Sequence, residues 1–166
     1  MIAVDGYRYG GRGHDRRVLL TELLAELPSV EQLVLPLFVR SGRRVRQPIA
    51  AMPGVFQFSP DELVREATRV HARGVPAVLL FGIPDRKDAR ASGAYARHGI
   101  VQQAVRRLKK ELPDLLVITD VCLCEYMSHG HCGIVQTGPR GAMVLNDPTL
   151  KLLARTAVSH AEAGAD

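Results

Sequence analysis

The stretch Leu115-Leu116-Val117-Ile118-Thr119-Asp120-Val121-Cys122-Leu123-Cys124-Glu125-Tyr126-Met127-Ser128-His129-Gly130-His131-Cys132-Gly133 contains all 3 cysteines of a 166-residue chain. It opens on a short apolar run, Leu115 to Ile118, whose β-branched content reads as a buried strand continuing to Asp120. Side chains on a strand alternate between faces, so Asp120, Cys122 and Cys124 are expected to point the same way. The glycines at 130 and 133 then let the chain turn and bring Cys132 back toward the other sulfurs.

Three thiolates converging on one point suit a soft, tetrahedral metal, with zinc the first choice. Zinc–sulfur bonds of about 2.3 Å hold sulfurs roughly 3.7 Å apart, within reach of a Cys-x-Cys pair. Three protein ligands plus water make a catalytic zinc, and a fourth protein ligand makes a structural one. His129 or His131 could supply the fourth, and the sequence leaves both arrangements open. The plainer alternative is three buried thiols acting as small hydrophobes.

Working outward, Leu33 to Val39 and Val78 to Phe81 are two further apolar runs, too hydrophobic for a wet face. Helices are expected over Arg17 to Leu27, from Ser59-Pro60-Asp61-Glu62 to Arg73, and over Val101 to Glu111. A last helix opens at Asp147-Pro148 and ends at Gly164. Ser59 has the spacing of a capping box with Glu62. Arg40 to Phe58 reads as a loop with a small hairpin, and Asp85 to Gly99 as a polar loop.

Strand and helix thus alternate three times, the pattern of right-handed parallel β/α units in an α/β fold. The cysteine loop follows the C-terminal end of the third strand, where such folds place their chemistry. Three β-α units cannot close an eight-stranded TIM-type barrel of about 250 residues. The expected architecture is therefore an N-terminal arm over residues 1–14 and a single-domain partial barrel over 15–166, ending before a fourth strand.

Composition narrows the function classes. The chain is 46% hydrophobic with no tryptophan, ordinary for a soluble globular protein. Its net charge of +5 is dispersed and lacks interleaved aromatics, which argues against nucleic-acid binding. No apolar run reaches the length of about 18 residues that a membrane span needs. Residues 1–10 lack the apolar core of a secretion signal. An odd cysteine count confined to one segment argues against a disulfide framework, so a cytoplasmic location is expected.

The string Asp-Val-Cys-Leu-Cys-Glu-Tyr-x-Ser-His-Gly-His-Cys-Gly closely resembles the zinc-site signature of porphobilinogen synthase, also called δ-aminolevulinic acid dehydratase. The likeness extends through Leu35-Pro36-Leu37-Phe38-Val39, Met52-Pro53-Gly54-Val55, Leu80-Phe81-Gly82-Ile83-Pro84 and Lys87-Asp88. It continues at Gly99-Ile100-Val101-Gln102, Asn146-Asp147 and Ala161-Glu162-Ala163-Gly164-Ala165-Asp166, in the same order. The resemblance implies a β/α barrel that condenses two 5-aminolevulinate molecules to porphobilinogen with loss of water, within a homo-octamer linked by N-terminal arms.

By the same resemblance, Cys122, Cys124 and Cys132 are the zinc ligands and Asp120 lies beside the substrate. Some family members replace the cysteines and use magnesium. Met127 stands where threonine is usual and Gln57 where arginine is common. The resemblance places both Schiff-base lysines beyond Asp166, which makes the chain alone an inactive piece. Two other readings remain from the residues themselves. One is a zinc-binding structural or interaction module closed by His131; the other is a degenerate half-barrel that pairs with itself or another chain.

Overall fold

A computed structural model describes residues 27–138 and 141–166. The expected arm over 1–14, and all but the last residue of the expected helix over 17–27, lie outside the described residues. The first segments are β1 (Val34–Arg40), β2 (Arg46–Pro48), β3 (Phe56–Phe58) and α1 (Pro60–His71). They are followed by β4 (Ala77–Ile83), α2 (Ile100–Glu111) and β5 (Leu116–Thr119), then β6 (Val135–Gly138), β7 (Gly141–Val144) and α3 (Asn146–Glu162).

The three apolar runs form the parallel strands β1, β4 and β5, side by side with Val34 opposite Ala77 and Ala77 opposite Leu116. Period-2 alternation sorts their residues by face. Leu37, Val39, Val78, Leu80 and Val117 are buried with Leu63 and Ala67 of α1 and Val101, Ala104, Val105 and Leu108 of α2. The other face carries Phe38, Leu79, Phe81 and Ile118, each half-buried, with the Phe38 and Phe81 rings stacked at 5.3 Å. Strands that are apolar on both faces belong to a parallel sheet.

The expected hairpin between Arg40 and Phe58 is the antiparallel pair β2–β3. It does more than the sequence suggests, because β3 also pairs in parallel with the end of β1, through Phe38 opposite Gln57. Among the described residues the sheet therefore has five strands, in the order β2-β3-β1-β4-β5. The Arg40 guanidinium, on β1, donates to Gln57 Oε1 at 3.4 Å and also to Gln47, which ties the hairpin to the strand end.

Three local expectations need correction. The third strand ends at Thr119, not Asp120. Leu123, Tyr126 and Met127 are buried at a spacing that a turn satisfies and a strand does not. Ser59 occupies the position before α1, but its hydroxyl donates to Asp61 Oδ1 at 2.6 Å instead of capping the helix. The last helix begins at Asn146, which places Asp147 in its first turn and Leu145, not an aspartate, at the cap. The antiparallel pair of β6 and β7, between the cysteine loop and α3, was not foreseen; its signal was the glycines Gly138 and Gly141, which lie opposite each other at its end.

Two buried polar side chains fix α3, Gln102 to α2 and His160 to the end of β5. Gln102 donates to Ala94 O at 2.7 Å and to Ser159 Oγ at 2.8 Å, while His160 Nδ1 and Thr119 Oγ1 are 3.0 Å apart. Burial holds the His160 imidazole below its ordinary pKa, so the folded state binds its proton less readily than the unfolded chain. Its contribution is whole above the unfolded value of about 6.5 and is lost as pH falls through the lower folded value. Thermal unfolding of His160→Gln should therefore lose less stability than the parent between pH 7 and pH 5. Equal losses in the two proteins would contradict this role.

Candidate metal centre

The cysteine loop leaves the sheet at Asp120, whose N–H still donates to Leu80 O at 3.0 Å. A turn follows, with the N–H groups of Tyr126 and Met127 both donating to Leu123 O, at 3.0 and 2.8 Å. Leu123, Tyr126 and Met127 point into a small second core with Ala91 and Ala94. Gly82 on β4 makes room for this: a Cβ there would run into the Tyr126 hydroxyl and lie 2.5 Å from Val101 Cγ2. Gly130, at φ 74°, supplies the left-handed turn that sends the chain back toward Cys132.

The three sulfurs come together, though not on a shared strand face as expected. Cys122 Sγ is 3.3 Å from Cys124 Sγ and 3.4 Å from Cys132 Sγ, and all three ligand atoms lie within 4.8 Å of one another. A tetrahedral zinc needs sulfurs roughly 3.7 Å apart, within a few tenths of an ångström of the two separations from Cys122. Cys122 and Cys124 are half-buried and Cys132 is exposed, which leaves an approach from solvent. Burial, aided by the neighbouring thiols, pushes the Cys124 thiol up to about 12. The Cys132 thiol is raised as well, through its neighbour Cys122, and a bound cation would displace the protons that these two thiols hold.

Neither histidine closes the site. Among the described residues, no histidine or carboxylate joins the three-sulfur cluster. His129 and His131 are exposed and engage each other: the His131 N–H donates to His129 Nδ1 at 3.2 Å, with the rings 5.4 Å apart. Three thiols with a free fourth position are the donor set of an open metal site.

The cysteine loop also carries a carboxyl pair, Asp120 and Glu125, that sequence reasoning only half found. Burial raises the pKa of Asp120, with the Val121 N–H and then Glu125 opposing. Burial, and then the charge of Asp120, push Glu125 up to about 7, with Lys87 opposing. Both carboxyls thus take up a proton more readily than free ones do. Glu125 went unremarked because its partner is five residues away and meets it only when the chain leaves the strand. Lys87, from the loop after β4, reaches the same place, with Nζ 3.5 Å from Cys124 O.

Comparison with known proteins places this arrangement. A family model described as delta-aminolevulinic acid dehydratase matches residues 12–166. The delta-aminolevulinic acid dehydratase of Halalkalibacterium halodurans is 52% identical over 137 residues, which is 82% of this chain and 40% of the relative. That of Synechocystis is 49% identical over 156 residues, 91% of this chain and 48% of the relative. The crystal structure of the Toxoplasma gondii enzyme (porphobilinogen synthase), in complex with its reaction product porphobilinogen, superposes with a TM-score of 0.82 at 32% identity. The match covers 95% of this chain and 46% of that one. The chain thus spans somewhat less than half the length of these relatives.

Proposed function

This chain belongs to the delta-aminolevulinic acid dehydratase family, and on that premise we propose that it carries the metal-binding part of a porphobilinogen synthase. The reaction is the condensation of two 5-aminolevulinate molecules to porphobilinogen with loss of water. The observation that carries the proposal is the meeting of the Cys122, Cys124 and Cys132 sulfurs in the loop that follows the C-terminal end of β5. The metal is zinc, because thiolates favour soft ions and magnesium prefers oxygen donors.

When bound, zinc supplies a Lewis acid that polarises a substrate oxygen and acidifies a bound water. Cys122, Cys124 and Cys132 hold it and leave one position open. Asp120, half-buried at the strand end, orients the substrate amine and, with Glu125, takes or returns a proton. The parallel sheet is part of a TIM-type β/α barrel, with the site at its C-terminal face. The arm-linked homo-octamer belongs to the same proposal, as does the cytoplasm, where thiols stay reduced.

The test joins this chain to the portion of the Synechocystis relative that lies beyond its match. The joined protein should form porphobilinogen from 5-aminolevulinate, and Asp120→Ala in it should lower kcat by about 10²–10⁴-fold. A joined protein that folds and binds zinc but makes no porphobilinogen would overturn the proposal.

A further inference from the structure

We propose that Asp88 is a positioning residue of the three-cysteine centre, holding the ligand-bearing loop through backbone bonds without touching a ligand. The proposal rests on the metal-binding reading above and adds a residue outside the loop. Asp88 lies in the segment after β4, and its backbone pairs with the cysteine loop in both directions. The Asp88 N–H donates to Tyr126 O at 3.0 Å, and the Ser128 N–H donates to Asp88 O at 3.0 Å. Together they make a parallel bridge between Asp88 and Met127, an isolated piece of sheet. It falls between the second ligand, Cys124, and the third, Cys132.

The side chain of Asp88 keeps its own segment in the shape this bridge needs. Its carboxylate accepts the Arg90 N–H at 2.7 Å, the Ser92 N–H at 3.2 and 3.3 Å, and the Ser92 hydroxyl. The turn so formed carries Ala91 at φ 50°, a left-handed conformation that strains a non-glycine residue. Ala91 is fully buried against Leu123, Tyr126 and Met127, so the strained turn and the cysteine loop share one small core. The neighbouring Lys87 adds a third attachment through Cys124 O. One short segment thus grips the loop at residues 124, 126 and 128. The carboxylate accepts from two amides and a hydroxyl at once.

Partners that orient metal ligands without binding the metal cost about 10–100-fold in affinity when removed. Zinc affinity by chelator competition, with the cobalt–thiolate absorption band as a second readout, tests the role on the purified chain. Asp88→Ala should weaken zinc by about 10–100-fold while keeping one metal per chain and the cobalt–thiolate band. Asp88→Asn, which keeps one acceptor oxygen, should recover most of the loss. A merely structural role would lower the unfolding temperature of Asp88→Ala and leave its zinc affinity at the parent's value; that result overturns the proposal. If Asp88→Ala does not fold, Ser92→Ala takes its place, with a smaller fall in affinity expected and an unchanged affinity again overturning it. A parent chain that binds no zinc would overturn the metal reading itself.

Discussion

Cys124→Ser is expected to weaken zinc binding by on the order of 10²–10³-fold. A zinc site formed by thiolates and imidazoles is worth roughly 10–16 kcal/mol, so each ligand carries roughly 3–4 kcal/mol. Every 1.4 kcal/mol is a tenfold change in affinity. Serine cannot replace the sulfur, because its hydroxyl is a hard donor that does not ionise near neutrality. Cys124 is the ligand to test first: it is half-buried, 3.3 Å from Cys122, and on the part of the loop held by Lys87. Cys132, exposed at the far end of the turn, should cost less when replaced. Zinc content by mass spectrometry and affinity by chelator competition check both. A triple Cys→Ser variant that retained its zinc would contradict the assignment.

The second large effect is an absence of chemistry. Alone, the 166-residue chain should form no porphobilinogen from 5-aminolevulinate, and borohydride should trap no substrate on it. A lysine forms an imine at neutral pH only where desolvation or a nearby cation leaves its amine unprotonated. None of the described lysines is buried. Lys110 and Lys151 are exposed on helices, and Lys109 is held by Asp166 Oδ2 at 2.9 Å. Lys87 is exposed as well, though its position beside Cys124 and Glu125 makes it the one to watch. Imine trapping on the isolated chain, lost in Lys87→Ala, would make Lys87 the nucleophile. Trapping only after the chain is joined to the remainder of a relative is the expected result.

The parallel core was legible because its signals are local. Three apolar runs with β-branched content and amphipathic helices between them allow few other arrangements. What the pattern missed was decided by contacts between distant residues. Nothing near Phe56 announces that β3 will extend the sheet beyond β1, since Gln57 meets Phe38 only after the hairpin folds. The three cysteines were found from their spacing, but through the wrong local geometry. The chain leaves the strand one residue early, and a turn around Leu123 brings the sulfurs together. Glu125 and Asp88 escaped notice for a related reason: each acts through a partner on another segment or beyond the strand end.

The central claim is an open metal site made of three sulfurs and no histidine. X-ray absorption at the zinc edge tests it most directly on the zinc-loaded chain. The expected spectrum has three sulfurs at about 2.3 Å and one oxygen at about 2.0 Å. Replacing both His129 and His131 with alanine should leave that shell unchanged. A shell with imidazole scattering that disappears in the double variant would contradict the claim and make the centre a closed, structural one.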